Sequence, residues 1–248
     1  MDNKSAAGPP VYLVGDSDAD QYSEALIAAT AAIDSPLTIR TGSGCQFVEG
    51  IVYYKGKEYP GCTGYVSSTV DWLVHQRPGV VVVSSAWDLI AAKHDEVIQV
   101  SEAGSELATI SGQKISALLP DLTDVINTLK QHGDQVVSVL PNPRFGQWSA
   151  DACPNVVAVA DTDGCGATRL ESVVDAELSA VDQMLVAAAQ ATDSTVLDFR
   201  SRFCPQGVCR TNTGNTWMFI DGYHITVGAR ESLAPFFVNA LTTHATKP

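Results

Sequence analysis

Apolar residues along this chain follow two rhythms. Short, nearly uninterrupted runs rich in β-branched residues occur at 11–14, 37–40, 80–84, 135–140 and 195–198. Runs of that length and composition predict strands, and their lack of apolar–polar alternation predicts strands covered on both faces. Between them lie longer stretches at 20–33, 66–76, 119–132, 167–192 and 227–242, where apolar positions recur at helical spacing. In the first of these, Ala25, Leu26, Ala29 and Ile33 share one helical face. Pro120 suits the first turn of the third, where its missing N–H is not needed. Strands separated by helices predict an α/β domain with a five-stranded parallel sheet, helices on both faces and right-handed crossovers.

Four stretches break the alternation. Residues 45–64 are rich in Gly and Tyr and predict a small hairpin; 93–113 form a polar insertion; 141–166 and 200–219 are long cysteine-bearing loops. All but the polar insertion begin where a strand ends, so they should gather at the C-terminal edge of the sheet, where open α/β sheets place their sites. Residues 1–10 are expected to be an added start or a linker, and 11–248 one domain.

Composition narrows the function. At 248 residues, 45% hydrophobic and 17% charged, the chain can bury a full core. A net charge of −13 argues against nucleic acid or an anionic membrane as partner. The longest apolar run, 80–92, is interrupted by Ser84, Ser85 and Asp88 and falls short of the roughly 18 residues of a spanning helix. The cysteines fall into three local pairs, Cys45/Cys62, Cys153/Cys165 and Cys204/Cys209, with no zinc-site spacing. An even number of loop cysteines reads as disulfides formed in an oxidising compartment, paired locally. Other connectivities, and buried free thiols in a cytosolic protein, are the alternatives at this point.

Two short motifs at opposite ends carry candidate chemistry. Gly15-Asp16-Ser17 ends an apolar strand and opens a helix, which places a hydroxyl beside free backbone N–H groups able to hold an oxyanion. Taken alone, it reads first as an ordinary strand-to-helix turn capped by Asp16 or Ser17. Far downstream, Asp221-Gly222-Tyr223-His224 sets an acid three residues before a histidine, at the entry to the last helix. Together they supply a nucleophile, a base and a carboxylate to orient the base, in the chain order Ser, Asp, His. His75, His94, His132 and His244 lie on helices or polar loops and read as surface residues.

With these blocks the chain resembles the SGNH hydrolases of the GDSL superfamily, and within them the SGNH domains fused behind the membrane domain of acyltransferase family 3 proteins. The finer likeness rests on Gly15-Asp16-Ser17-Asp18-Ala19 and on Ser43-Gly44-Cys45 after the second strand. It rests also on Cys204 and Cys209 followed by Asp221-Gly222-Tyr223-His224-Ile225-Thr226-Val227-Gly228-Ala229. The resemblance implies a flavodoxin-like three-layer α/β/α sandwich. It implies an O-acyltransferase in which Ser17 is the nucleophile, His224 the base and Asp221 its orienting acid. Oxyanion donors would be the N–H groups of Ser17 and Gly44, or of Ser43. The partners would be an acyl donor, a cell-envelope carbohydrate acceptor and an N-terminal membrane domain, outside the cytoplasm, with no metal or organic cofactor. A secreted O-acyl esterase and a non-catalytic binding domain on a decayed scaffold are the alternatives.

The chain departs from the family pattern twice. Asp18 stands where a histidine is common, and an acid at a helix N-terminus is a sufficient reading of it. Ser85-Ala86-Trp87-Asp88 stands where Gly-x-Asn-Asp is expected, so Trp87 replaces the oxyanion-binding asparagine. Its indole N–H could donate in the asparagine's place, or the ring could be packing; the sequence leaves both open.

Overall fold

The structure, a computed structural model, describes residues 7–47, 51–54, 57–58, 62, 64–91, 98–101, 111–153 and 164–244. The five expected strands form one sheet: β1 (Val11–Gly15), β2 (Leu37–Thr41), β3 (Val80–Ser84), β4 (Gln135–Val139) and β5 (Thr195–Leu197). All pair in parallel in the order β2-β1-β3-β4-β5. Five main helices cover it: α1 (Ser23–Ala32), α2 (Tyr65–Leu73), α3 (Ser111–His132), α4 (Glu171–Thr192) and α5 (Ala234–His244).

Strand residues alternate between two cores. Val11, Leu13, Val80, Val82, Val137 and Val139 meet Ala25, Leu26 and Ala29 of α1 and Phe237 and Leu241 of α5. Tyr12, Val14, Val81, Val83 and Val136 meet Val70 and Leu73 of α2, Leu122, Ile126 and Leu129 of α3, and Met184 and Leu185 of α4. Since successive side chains point to opposite faces and both faces are covered, β1 and β3 are apolar at nearly every position and buried throughout. This is the flavodoxin-like three-layer sandwich.

The helices differ in extent from the sequence expectation. Pro120 lies inside α3, which begins at Ser111 rather than near 119. The buried stripe Leu118, Leu122, Val125, Ile126 and Leu129 runs through the proline, so packing outweighs the lost N–H. The final helical stretch is two helices, Val227–Glu231 and α5, because Pro235 cannot extend the first and instead sits in the first turn of the second. The first stretch, expected over 20–33, is α1 at Ser23–Ala32, preceded by a separate helical turn at Ser17–Asp20. Thr168–Leu170, expected as helix, is a strand paired antiparallel with Val208–Arg210. In the expected hairpin, Ile51–Tyr54 pairs antiparallel with Lys57–Glu58, and Ile98–Ser101 from the polar insertion adds a third strand. Residues 48–50, 55–56, 59–61 and 63 of that hairpin, 93–97 and 102–110 of the insertion, and 154–163 of the long loop lie outside the described residues.

Disulfides join Cys45 to Cys62, Cys153 to Cys165 and Cys204 to Cys209, the local pairing read from the sequence. Three disulfides fit an extracytoplasmic location. Among the described residues, no helix is long and apolar enough to cross a membrane.

Candidate active site

The site starts where β1 ends. Gly15 has φ +137°, and a Cβ there would sit 1.7 Å from the Ser84 carbonyl oxygen of β3, so only glycine fits. Asp16 then caps the turn Ser17–Asp20: its Oδ1 accepts the Asp18 N–H at 2.8 Å, while Oδ2 accepts the Ala86 N–H at 2.9 Å. One carboxylate thereby ties the loop after β1 to the loop after β3. Burial, and next the charge of Asp18, push the Asp16 carboxyl up to about 7, against its two backbone hydrogen bonds and Arg144.

Ser17, the first residue of that turn, faces the loop before Val227–Glu231. His224 Nε2 lies 3.2 Å from Ser17 Oγ, and His224 Nδ1 lies 3.0 Å and 3.2 Å from the two oxygens of Asp221. Asp221 Oδ1 also accepts the N–H groups of Tyr223 and His224, both at 2.7 Å. These bonds explain the three-residue spacing: the acid folds its own loop into an Asx turn that swings the imidazole back over it. Partial burial opposes ionisation of Asp221, but the bonds from the His224 side chain and the two N–H groups prevail and hold its carboxyl below the usual range. The loop is pinned from outside as well. Phe145 N–H donates to the Gly222 carbonyl at 2.9 Å, and Ile225 N–H to Gln21 Oε1 at 3.1 Å. A Cβ on Gly222 would lie 1.9 Å from the Gly146 carbonyl oxygen.

Gly44 follows β2 in a turn closed by the Cys45 N–H on the Gly42 carbonyl at 2.9 Å, and its φ of +73° favours glycine. The Gly42 N–H donates to the Gly15 carbonyl at 2.9 Å, so this turn starts beside the end of β1. The Cys45–Cys62 disulfide anchors its far side.

Trp87 is 1% exposed and lies in the core shared by Val14, Val83, Val66 and Leu122. Its indole N–H is buried and has no hydrogen-bond partner among the described residues. These are the surroundings of the packing alternative. Asp18 is where the sequence reading was too modest. It does not simply face a helix end: it is buried in a network around Arg144, a residue that no sequence motif singles out. Arg144 Nη1 reaches Asp18 Oδ1 at 3.4 Å, and Nη2 donates to Asp18 Oδ2. Arg144 Nε and Nη2 reach the two oxygens of Asp88 at 2.8 Å and 2.6 Å, and Nη1 donates to the Tyr223 carbonyl at 2.8 Å. Burial alone would lower its pKa, but Asp18 and Asp88 raise it well above the usual value, and the guanidinium stays charged. The sequence signal is an arginine just after a strand, behind Pro141-Asn142-Pro143, and it means nothing until the loops converge. Of the other histidines, His75 sits beside Asp71 on α2 and His132 Nδ1 lies 2.8 Å from Asp134.

Ser17, His224 and Asp221 are thus hydrogen-bonded in line at the C-terminal edge of a flavodoxin-like sheet, the place where a nucleophile, a base and an orienting acid would act on an acyl ester. The chain belongs to the family described as SGNH domain (fused to AT3 domains), whose profile matches residues 2–239. Among solved structures it is similar to the Salmonella ser. Paratyphi A lipopolysaccharide acetyltransferase periplasmic domain. That match is 12% identical, covers 96% of this chain and 85% of the other, and has a TM-score of 0.66. Axe2, an acetyl-xylooligosaccharide esterase from Geobacillus Stearmophilus, matches at 11% identity over 95% of each chain, with a TM-score of 0.53. An extracellular lipase from Streptomyces rimosus matches at 11% identity over 94% of this chain and 100% of the other, with a TM-score of 0.51. A comparison with curated protein sequences gave no match. The structural likenesses establish the shared fold, and the family supports acyl transfer or acyl hydrolysis as the activity.

Proposed function

We propose that this chain is the extracytoplasmic SGNH domain of an O-acyltransferase that moves an acyl group, in the simplest case acetyl, onto a hydroxyl of a cell-envelope carbohydrate. The observation that carries the reading is the line of contacts from Ser17 Oγ to His224 Nε2 at 3.2 Å and from His224 Nδ1 to Asp221 at 3.0 Å. Ser17 Oγ attacks the acyl carbonyl while His224 Nε2 takes its proton. Asp221 accepts from Nδ1–H, fixes the tautomer and stabilises the imidazolium that forms. The N–H groups of Ser17 and Gly44 receive the oxyanion, and the leaving group departs with the proton from His224, leaving an acyl-serine. A sugar hydroxyl, deprotonated by the same imidazole, then takes the acyl group. Trp87 serves the core beneath. The fusion named in the family description supports a membrane acyltransferase domain as the source of the acyl group. The named activities of the Salmonella and Geobacillus neighbours support an acetylated carbohydrate.

Hydrolysis is the second reading. The side chains of His224 and Asp221 are 34% and 39% exposed, so water can reach the acyl-serine. A small acetyl ester incubated with the domain, with and without envelope oligosaccharide, separates the two. Acetylated sugar supports transfer; free acetate at an unchanged rate supports an esterase. A fluorophosphonate probe should label Ser17 in the wild type and nothing in Ser17→Ala. Absence of labelling would overturn both readings in favour of a binding domain.

A further inference from the structure

Arg144 is 8% exposed, and each of its five N–H groups has a partner: four contacts go to Asp18 and Asp88, one to the Tyr223 carbonyl. Asp18 follows Ser17. Asp88 comes from the loop after β3, Arg144 from the loop after β4, and Tyr223 lies between Asp221 and His224. One planar cation therefore joins four segments at the sheet edge. The Tyr223 peptide units are gripped from both sides, the N–H by Asp221 Oδ1 and the C=O by Arg144. The Tyr223 ring also lies over the guanidinium, 5.7 Å from centroid to Cζ. Asp18, which departs from the family pattern, and Asp88, which keeps it, are thus held by the same arginine.

We infer that Arg144 is the positioning residue of this site, holding the Tyr223 carbonyl, and through it the His224 imidazole, in register with Ser17. The inference rests on the serine reading above. Its physical basis is geometric. A lysine keeps the charge but is a single point with no fork, so it cannot serve two carboxylates and a carbonyl at fixed angles. A displacement of the base by about 1 Å is enough to cost roughly 100-fold in rate.

Arg144→Met alone strands two buried carboxylates and endangers folding. The test therefore uses the neutral triple variant Arg144→Met with Asp18→Asn and Asp88→Asn, beside Arg144→Lys. Arg200→Met is the control, since Arg200 is also 8% exposed and gripped by Asp175, Asp182 and Asp198. Three readouts are taken: kcat and KM for a small acetyl ester, the rate of fluorophosphonate labelling of Ser17, and the downfield Nδ1–H proton resonance of His224. In the folded triple variant and in Arg144→Lys, kcat and labelling rate should fall about 10- to 100-fold at nearly constant KM, with the resonance broadened or lost. Arg200→Met should lower Tm and leave all three unchanged. Wild-type kcat and an intact resonance in either Arg144 variant would overturn the inference. If wild-type Ser17 proved inert to the probe while the resonance still vanished in the triple variant, the serine reading would fall and the positioning role would stand.

Discussion

Asp16 Oδ2 accepts the N–H of Ala86 at 2.9 Å, so the first and third loops of the sheet edge share one buried carboxylate. Asn at position 16 has one acceptor arm and one donor arm, as the protonated acid does, and cannot ionise. The expected pH behaviour follows from the raised carboxyl. With an ordinary value of 3.8 and a folded value of about 7, the folded state binds this proton more tightly than the unfolded chain. Its contribution is present below the ordinary value and is lost as pH rises through about 7, so stability should fall across that window. Asp221, held low, acts with the opposite sign: its contribution is present above the ordinary value and is lost in acid. Urea unfolding of wild type and Asp16→Asn at pH 5, 6 and 7.5 checks this. The variant should lie close to wild type at pH 5, where Asp16 is itself protonated, and show a flatter decline to pH 7.5; parallel pH curves would refute the titration of Asp16.

Ser17→Ala and His224→Ala should each lower kcat by roughly 10,000-fold, with Asp221→Ala somewhat milder, since the three act as a unit. The Ser17→Ala/His224→Ala double variant should be no slower than the worse single one. Steady-state kinetics on a small acetyl ester decides this, with melting curves to show that each variant is folded. A near-wild-type rate in Ser17→Ala would assign the nucleophile elsewhere.

Trp87→Phe keeps most of the ring volume and deletes a buried N–H that has no partner among the described residues. Turnover should stay within about twofold and Tm should hold or rise, because an unsatisfied buried donor costs about 1–3 kcal/mol. A drop of about 100- to 1,000-fold at unchanged KM would instead make the indole an oxyanion donor.

The Cys45–Cys62 disulfide borders Gly44 and so bears on rate as well as stability. Replacing both cysteines by serine should cost about 2–4 kcal/mol and also lower kcat, since the turn carrying Gly44 loses its outer anchor. Replacing Cys153 and Cys165 should affect stability with little change in kcat. Non-reducing peptide mapping tests the pairing itself.

The strands and the Ser17, Asp221 and His224 positions were legible because their signals are local. Runs of β-branched residues announce buried strands wherever they occur, and Asp221 builds its own turn from neighbours two and three residues away. Local reasoning misplaced the start of α3, where it trusted Pro120. It also missed the break before α5, though Pro235 was there to be read.

The sequence by itself determined the layer architecture, because that depends on periodicity, and it brought forward the local cysteine pairs and Ser17, Asp221 and His224 as candidates, because those depend on proximity and short motifs. Only the tertiary structure brought Asp18, Asp88 and Arg144 together and buried Trp87 in the core. Asp18 and Arg144 are 126 residues apart, yet they meet because parallel strands deliver every loop to the same edge. Whether an acid at position 18 is a helix-end charge or half of a buried ion pair depends on which loops converge there. Burial and convergence are properties of the packed sheet, and no stretch of the chain carries them alone.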